Sequence, residues 1–315
     1  MSECRLPVPA MMKDDQTAFE TALFARAAAS EDLLRQILDA PLLSGEIARP
    51  ERLMAAMRHG ALNGGKRLRP FLVMESAALF SADDEAALRV AAALECVHCY
   101  SLIHDDLPAM DDDDLRRGQP TVHKAFDEAT AILAGDALLT LAFDIIADQA
   151  TVLPAERRIA LVLALARAAG AGGMVGGQTL DLEAERKRPD EAGIIRLQAM
   201  KTGALIRFAC EAGAIVAGAP AADRERLAEF GSAIGLAFQL ADDLLDLTAD
   251  AKQMGKATKK DAAAGKATLA ALHGPDWARE QLHGLIDQAH ALLDPYGERA
   301  ALLKAAATFV ATRNN

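Results

Sequence analysis

Apolar residues recur at helical spacing along almost the whole chain, and the interruptions fall at proline and glycine. From Asp14 to about Leu38 the apolar set is Phe19, Leu23, Phe24, Leu33, Leu34 and Ile37, which predicts a first helix. Pro41 and Gly45 interrupt it, and a second helix is predicted to about Leu62. Further helices are predicted over 84–106, 121–150, from Pro154 to about Ala169, over 192–217, around 238–246, over 275–294 and over 296–311. Gly170, Gly172, Gly173, Gly176 and Gly177 fall between two of these and read chiefly as sites of close helix approach. The stretch 248–267, rich in Lys, Asp and Gly, is predicted to be a loop. Residues 1–13 are expected to be disordered. Residues 14–315 are expected to form one domain, because no Pro/Gly/Ser-rich linker divides them.

Composition agrees with the pattern. The chain is 51% hydrophobic, mostly Ala and Leu, with only 4% aromatic residues. Strong helix formers dominate and β-branched runs are almost absent, so the expected class is all-α. The net charge of −11 and the lack of a basic patch interleaved with aromatics exclude nucleic acid as an expected partner. Cys4, Cys96, Cys99 and Cys210 do not form a disulfide framework, and Cys96 and Cys99 lie on an apolar helix without a second pair. Free thiols, prolines and charges in place of a signal-peptide core, and no run of about 18 apolar residues without a charge predict a cytoplasmic protein with no transmembrane segment.

Chemistry concentrates in two acidic stretches. Asp105, Asp106, Asp111, Asp112, Asp113 and Asp114 place six carboxylates within ten positions at the end of a long apolar helix, with Arg116 and Arg117 directly after them. Such a cluster is a solvated loop or a site for hard cations, and the arginine pair suits a phosphate-bearing ligand. An EF-hand does not fit, because no Glu closes a twelve-residue loop from Asp111. Downstream, Gln239, Asp242 and Asp246 share one face of an apolar helix, with Asp243 beside them. Two carboxylate clusters on different helices suggest opposite walls of one cavity, with divalent ions bridging a polyanion. Between Asn63 and Pro70, paired glycines and the cations Lys66, Arg67 and Arg69 make a second anion-seeking stretch.

The residues DDLPAMD at 105–111 and FQLADDLLD at 238–246 resemble the two aspartate-rich motifs of trans-isoprenyl diphosphate synthases, the polyprenyl synthetase family. The stretch from Gly64 to Pro70, Gly176-Gly177-Gln178 with Asp181, and Lys201-Thr202-Gly203 match that family in order and approximate spacing. The resemblance, which runs from about residue 30 to the C-terminus, implies a single helical bundle of the isoprenoid synthase type with a central cavity between two aspartate-bearing helices. It implies magnesium, three ions per site, held by Asp105, Asp106, Asp111, Asp242, Asp243 and Asp246. Isopentenyl diphosphate would meet Gly65, Lys66, Arg69, His98 and Arg117. The allylic diphosphate would meet Arg116, Lys201, Thr202, Gln239, Lys256 and Lys266. Lys201, Thr202, Gln239 and Asp242 would serve catalysis, and the protein would be a homodimer.

Tyr100 lies five residues before Asp105, a helical rise of about 7.5 Å, and with Ser101 would form the floor on which the growing chain stops. In the family, an aromatic there together with two extra residues in the aspartate motif accompanies a fifteen-carbon product, so farnesyl diphosphate is the expected product. The alternatives are a geranylgeranyl or geranyl diphosphate synthase and, in a different class, a non-catalytic subunit or acidic metal-binding helical protein. A terpene cyclase would not require the Gly-Gly-Lys-Arg-Leu-Arg stretch. One departure stands out: Lys259 replaces a common family glycine in the lysine-rich loop.

Overall fold

A computed structural model describes residues 13–254 and 268–312, with side chains for 15–247 and 268–312. The described chain is helical almost throughout, as its composition predicts, and it divides into two compact units. One comprises Glu20–Leu165 and Ala212–Ala219; the other holds Ala166–Glu211, the chain from Pro220 onward and the start of the chain up to Phe19.

In the first unit the order is α1 (Lys13–Leu38), α2 (Glu51–Ala61), α3 (Leu68–Ala78), α4 (Asp84–Asp105), a hairpin of β1 (Leu115–Arg116) and β2 (Gln119–Pro120), α5 (Val122–Ala125), α6 (Glu128–Ala147) and α7 (Ala155–Ala169). Helix α4 is its core element and packs against α3 and α6. Every residue from Val90 to Val97 is buried, as expected of a helix apolar on all sides. Asp83 caps its start, accepting from the amides of Glu85 and Ala86 at 2.8 and 3.1 Å, worth about 1 kcal/mol. Gly60 of α2 and Gly135 of α6 let those helices close onto Ile103 and His104 of α4, where an added Cβ would collide.

The predicted helix 121–150 is two helices. Phe126 leaves helical geometry and Asp127 caps α6, accepting from the Thr130 amide at 2.7 Å. Arg52 reinforces the break, reaching Asp127 at 2.6 Å. A side chain that competes for the backbone is enough to restart a helix. The β1–β2 hairpin was not apparent from the sequence because each strand is two residues long.

The second unit contains α8 (Met174–Arg186), α9 (Glu191–Gln198), a π-helical turn (Ala199–Gly203), the start of α10 (Ala204–Ala217), α11 (Ala221–Met254), α12 (Leu269–His273), α13 (Pro275–Leu293), a 3-10 segment (Asp294–Ala300) and α14 (Ala301–Thr312). The predicted helix 192–217 therefore runs through a π turn, which packs against α8 and α11. Glycine makes this possible: Gly177 abuts the backbone of Lys201, and Gly235 abuts Gly203. Helix α11 runs seven residues into the predicted loop 248–267, to Met254; the remainder of that stretch, with Lys256, Lys259 and Lys266, lies outside the described residues.

Three helical stretches, Asp84–Asp105, Glu128–Ala147 and Ala155–Arg186, are long and apolar enough to cross a membrane by length and composition. The sequence criterion missed them because it allowed no charge. In Asp84–Asp105 the apolar window is 72% buried inside the protein, which marks α4 as a core helix; the other two bury much less.

Candidate active site

The first acidic run begins where α4 ends. Asp105 is its last residue and Asp106 its C-cap. Pro108 stops the helix, and the chain turns back: the amide of Met110 bonds to Leu107 O, that of Asp111 to Asp105 O at 2.8 Å, and that of Asp112 to Leu107 O. Asp111 is thus returned to the end of α4 beside Asp105, the fold-back its spacing requires for a shared cation. Asp111 to Asp114 are all exposed, whereas Asp105 is half-buried.

Asp106 behaves differently. It is buried, and Arg116 grips it with Nε at 2.7 and 3.0 Å from its two oxygens and Nη2 at 2.5 Å. Burial pushes this carboxyl up, and the guanidinium offsets that only in part. The residues that deliver Arg116 form a two-residue hairpin. Arg117 (φ 52°) and Gly118 (φ 76°) are both left-handed, the requirement of a type I′ turn. His59 meets the Pro120 carbonyl at 2.7 Å and the Thr121 hydroxyl donates to Asp113 O at 2.8 Å, so the hairpin is fixed from α2 and from the acidic loop.

The turn sends Arg117 toward the glycine-rich stretch, where Nη1 donates to Asn63 Oδ1 at 3.0 Å and to the Gly64 carbonyl, and where the guanidinium covers Gly65. Gly64 (φ 81°) and Gly65 (φ 118°) adopt a conformation that L side chains rarely take. Lys66 is exposed, and Arg69 Nη1 lies 3.4 Å from His98 Nε2. Burial, then Arg69 and Arg117, hold the His98 imidazole well below its usual titration range, so it is neutral at pH 7. Gly65, Lys66, Arg69, His98 and Arg117, which the sequence scattered over more than fifty positions, are therefore gathered on one unit as a basic cluster suited to a polyanion. Further back on α4, Tyr100 is buried and stacks edge-on against His104 at 5.7 Å between centroids. Ser101 donates to the His98 carbonyl at 2.9 Å. His104, which Nε2 links to the Ile132 carbonyl at 3.0 Å, escaped the sequence reading; its position one turn after Tyr100 was the available signal.

In the second unit, α11 is unbroken from Ala221 to Met254, which sets Gln239, Asp242 and Asp246 on one face. Asp242 is half-buried and Asp246 exposed. Asp243 is buried and accepts from Gln198 Nε2 at 3.1 Å; burial, with Asp242 and Asp246 nearby, pushes its carboxyl up to about 6. Gln198 had no place in the sequence reading. The π turn aims the next residues: Lys201 pairs with Asp181, and the Thr202 hydroxyl donates to Gln239 Oε1 at 3.2 Å. Both polar atoms of the Gln178 side chain are buried without a partner, an arrangement that polar ligand groups would relieve.

These carboxylates fit magnesium. Among the described residues, no three His, Cys, Asp or Glu side chains converge closely enough to hold a metal by themselves. A cation that keeps several waters and takes one or two carboxylates plus substrate phosphates needs no such cage.

The family model described as polyprenyl synthetase matches residues 50–299. The farnesyl diphosphate synthase of Escherichia coli (strain K12) is 47% identical over 271 residues, covering 83% of this chain and 89% of that one. Geranylgeranyl pyrophosphate synthase 11 of Arabidopsis thaliana is 43% identical over 278 residues, covering 87% and 78%. The apo crystal structure of an FPP/GFPP synthase from Zymomonas mobilis superposes with a TM-score of 0.84 at 45% identity, covering 94% of this chain and 100% of that one. With a family match over most of its length and both aspartate motifs intact, the chain belongs to the polyprenyl synthetase family.

Proposed function

We propose that this protein is a short-chain prenyltransferase that condenses isopentenyl diphosphate with dimethylallyl diphosphate, and then with geranyl diphosphate, to give (E,E)-farnesyl diphosphate. The observation that carries this reading is the basic cluster of Lys66, Arg69, His98 and Arg117 in the same unit as the Asp105–Asp111 fold-back. One diphosphate is received by cations and a second by carboxylate-held metal, which is the demand of a reaction that joins two diphosphate esters.

Asp105 and Asp111 in the first unit, and Asp242 and Asp246 in the second, would hold magnesium, which would supply positive charge for the leaving diphosphate. Arg116 and Lys201 add charge on the allylic side, joined by Lys256 and Lys266 of the lysine-rich stretch. Asp106 holds Arg116 and Asp243 holds Gln198, so these two carboxylates orient neighbours instead of binding metal. The allylic C–O bond breaks with its electron pair leaving on diphosphate. Thr202 Oγ1 and Gln239 Oε1 stabilise the developing cation with their dipoles. The isopentenyl double bond, held in place by Gly65, Lys66, Arg69, Arg117 and neutral His98, supplies the electrons of the new C–C bond. The proton then lost passes to the released diphosphate.

Ile132, Leu133, Val152, Ile159 and Leu163 expose apolar side chains on α6, α7 and the turn between them. A second copy covering that face makes the protein a homodimer and gives the less buried apolar helices a partner other than lipid. The buried thiols of Cys96, Cys99 and Cys210 suit a reducing compartment such as the cytoplasm.

A second reading, a twenty-carbon product, draws on the Arabidopsis thaliana relative at 43% identity. Purified protein incubated with isopentenyl and dimethylallyl diphosphates, with and without magnesium, followed by chain-length analysis, separates the two. A magnesium-dependent fifteen-carbon product is expected. A twenty-carbon product would favour the second reading, and no product from either a five- or a ten-carbon primer would reject the activity.

A further inference from the structure

The loop between α2 and α3 and the first turn of α3 carry three cations, but they do not share one destination. Lys66 is exposed and Arg69 turns to His98. Arg67 points inward, its side chain 1% exposed against a Glu95 side chain that is 2% exposed, with Nη1 2.5 Å from Glu95 Oε1. Nη2 donates to the Ala61 carbonyl at 2.7 Å and lies 3.7 Å from Glu31; Nη1 also meets Cys99 Sγ at 3.8 Å. A charge so enclosed cannot reach a solvent-borne diphosphate.

Two features show that this arrangement is imposed. The Arg67 backbone is left-handed, at φ 49° and ψ 41°, a region where a Cβ crowds the following carbonyl. Its Nε is buried with no partner, so the pair leaves part of its own desolvation cost uncompensated. Burial works against the guanidinium charge, and Glu95 and Cys99 together outweigh it. What the geometry achieves is registration. Glu95 and His98 are three apart, on one face of α4: the first takes Arg67 and the second meets Arg69. The end of the loop and the first turn of α3 are thereby pinned to α4 at two points, with Gly65 and Lys66 directly before the buried anchor.

We propose that Glu95, acting through Arg67, is a positioning residue that sets Lys66 and Arg69 for the diphosphate of isopentenyl diphosphate. This rests on the assignment of the basic cluster to that substrate. It differs from that assignment in giving Arg67 no contact with ligand and in giving a role to a glutamate that never meets it.

The test uses the full chain and two variants. In Arg67→Met/Glu95→Leu both charges leave together, a replacement that buried ion pairs often tolerate without loss of stability. Isopentenyl diphosphate binding is measured by calorimetry, and steady-state kinetics give separate KM values for isopentenyl and geranyl diphosphates. The double variant, melting near the wild-type temperature, is expected to raise Kd and KM for isopentenyl diphosphate by at least about tenfold. Its KM for geranyl diphosphate and its kcat at saturation should stay within about twofold, since an anchor confined to one subsite has no other route to the rate. An unchanged isopentenyl KM in folded protein overturns the proposal, as does an equal rise in both KM values with a fall in kcat. If the double variant does not fold, Glu95→Gln decides by the same selective rise or its absence. Wild-type protein that fails to bind isopentenyl diphosphate would overturn the substrate assignment itself, and the positioning role with it.

Discussion

Asp106 and Arg116 are ten residues apart and meet in a two-pronged contact, with Nε 2.7 and 3.0 Å from the two carboxylate oxygens and Nη2 2.5 Å from the first. The contact joins the C-cap of α4 to the β1–β2 hairpin, so the second aspartate of the motif governs where an arginine points.

Replacing Asp106 with Asn leaves Arg116 against a neutral amide. Breaking a buried pair from one side costs about 3–5 kcal/mol, and the partial exposure of Arg116 places the expected loss at the low end of that range. The rate should fall roughly a hundredfold through loss of charge stabilisation. Magnesium titration separates the roles of this carboxylate. The magnesium concentration for half-maximal rate should be unchanged if Asp106 only holds Arg116. A shift to higher magnesium would restore it as the metal ligand that the family resemblance implies.

Tyr100→Ala tests the floor. Tyr100 is 5% exposed, and its ring abuts His104. Truncation should lengthen the product to twenty carbons or more while activity persists. An active variant that still makes only fifteen carbons would remove Tyr100 from chain-length control and direct attention to His104 and Gly135.

Both acidic motifs and the helices bearing them were legible because their signal is local: carboxylates at fixed spacing on an apolar helical period. Less visible was which way a side chain turns. Lys66, Arg67 and Arg69 look alike in sequence, and only burial against Glu95 shows that Arg67 is directed inward. Asp106 and Asp243 look like their neighbours Asp105 and Asp242, and only burial against Arg116 and Gln198 separates them. The break at Phe126 and the π turn depend on a competing cap and on glycines of neighbouring helices, which helical periodicity does not report.

The π turn yields its own prediction. A Cβ at Gly177 would collide with the backbone of Lys201, and backbone cannot yield as a flexible side chain can. Gly177→Ala should cost about 1–3 kcal/mol of stability and displace Lys201 and Thr202 together. The expected kinetic signature is a fall in kcat with little change in the KM for isopentenyl diphosphate. Gly284, where an added Cβ meets nothing within 4 Å, is the control, and its Ala variant should leave both parameters unchanged. Equal behaviour of the two variants would mean that the close approach at Gly177 has no bearing on the rate.

Asp243 links pH to stability with a definite sign. Burial raises its carboxyl from 3.8 in the unfolded chain to about 6 in the folded one. Folding therefore favours the protonated form, so the contribution is fully present below about pH 4 and is lost as pH rises through about 6. At pH 7.5 the ionised carboxylate costs on the order of 1–3 kcal/mol. Asn at this position mimics the protonated acid at every pH and can still accept from Gln198. In urea unfolding with EDTA present, Asp243→Asn should match the wild type near pH 4 and exceed it by that margin above pH 7. A difference that is constant from pH 4 to 8 would show that ionisation of Asp243 is not resisted by the fold. Repeating the pH 7.5 measurement with magnesium and inorganic diphosphate tests its orienting role. Equal stabilisation of both proteins leaves Asp243 as the partner of Gln198, whereas stabilisation of the wild type alone would make it a metal ligand, because only a cation bound to the carboxylate offsets its burial in the ionised form.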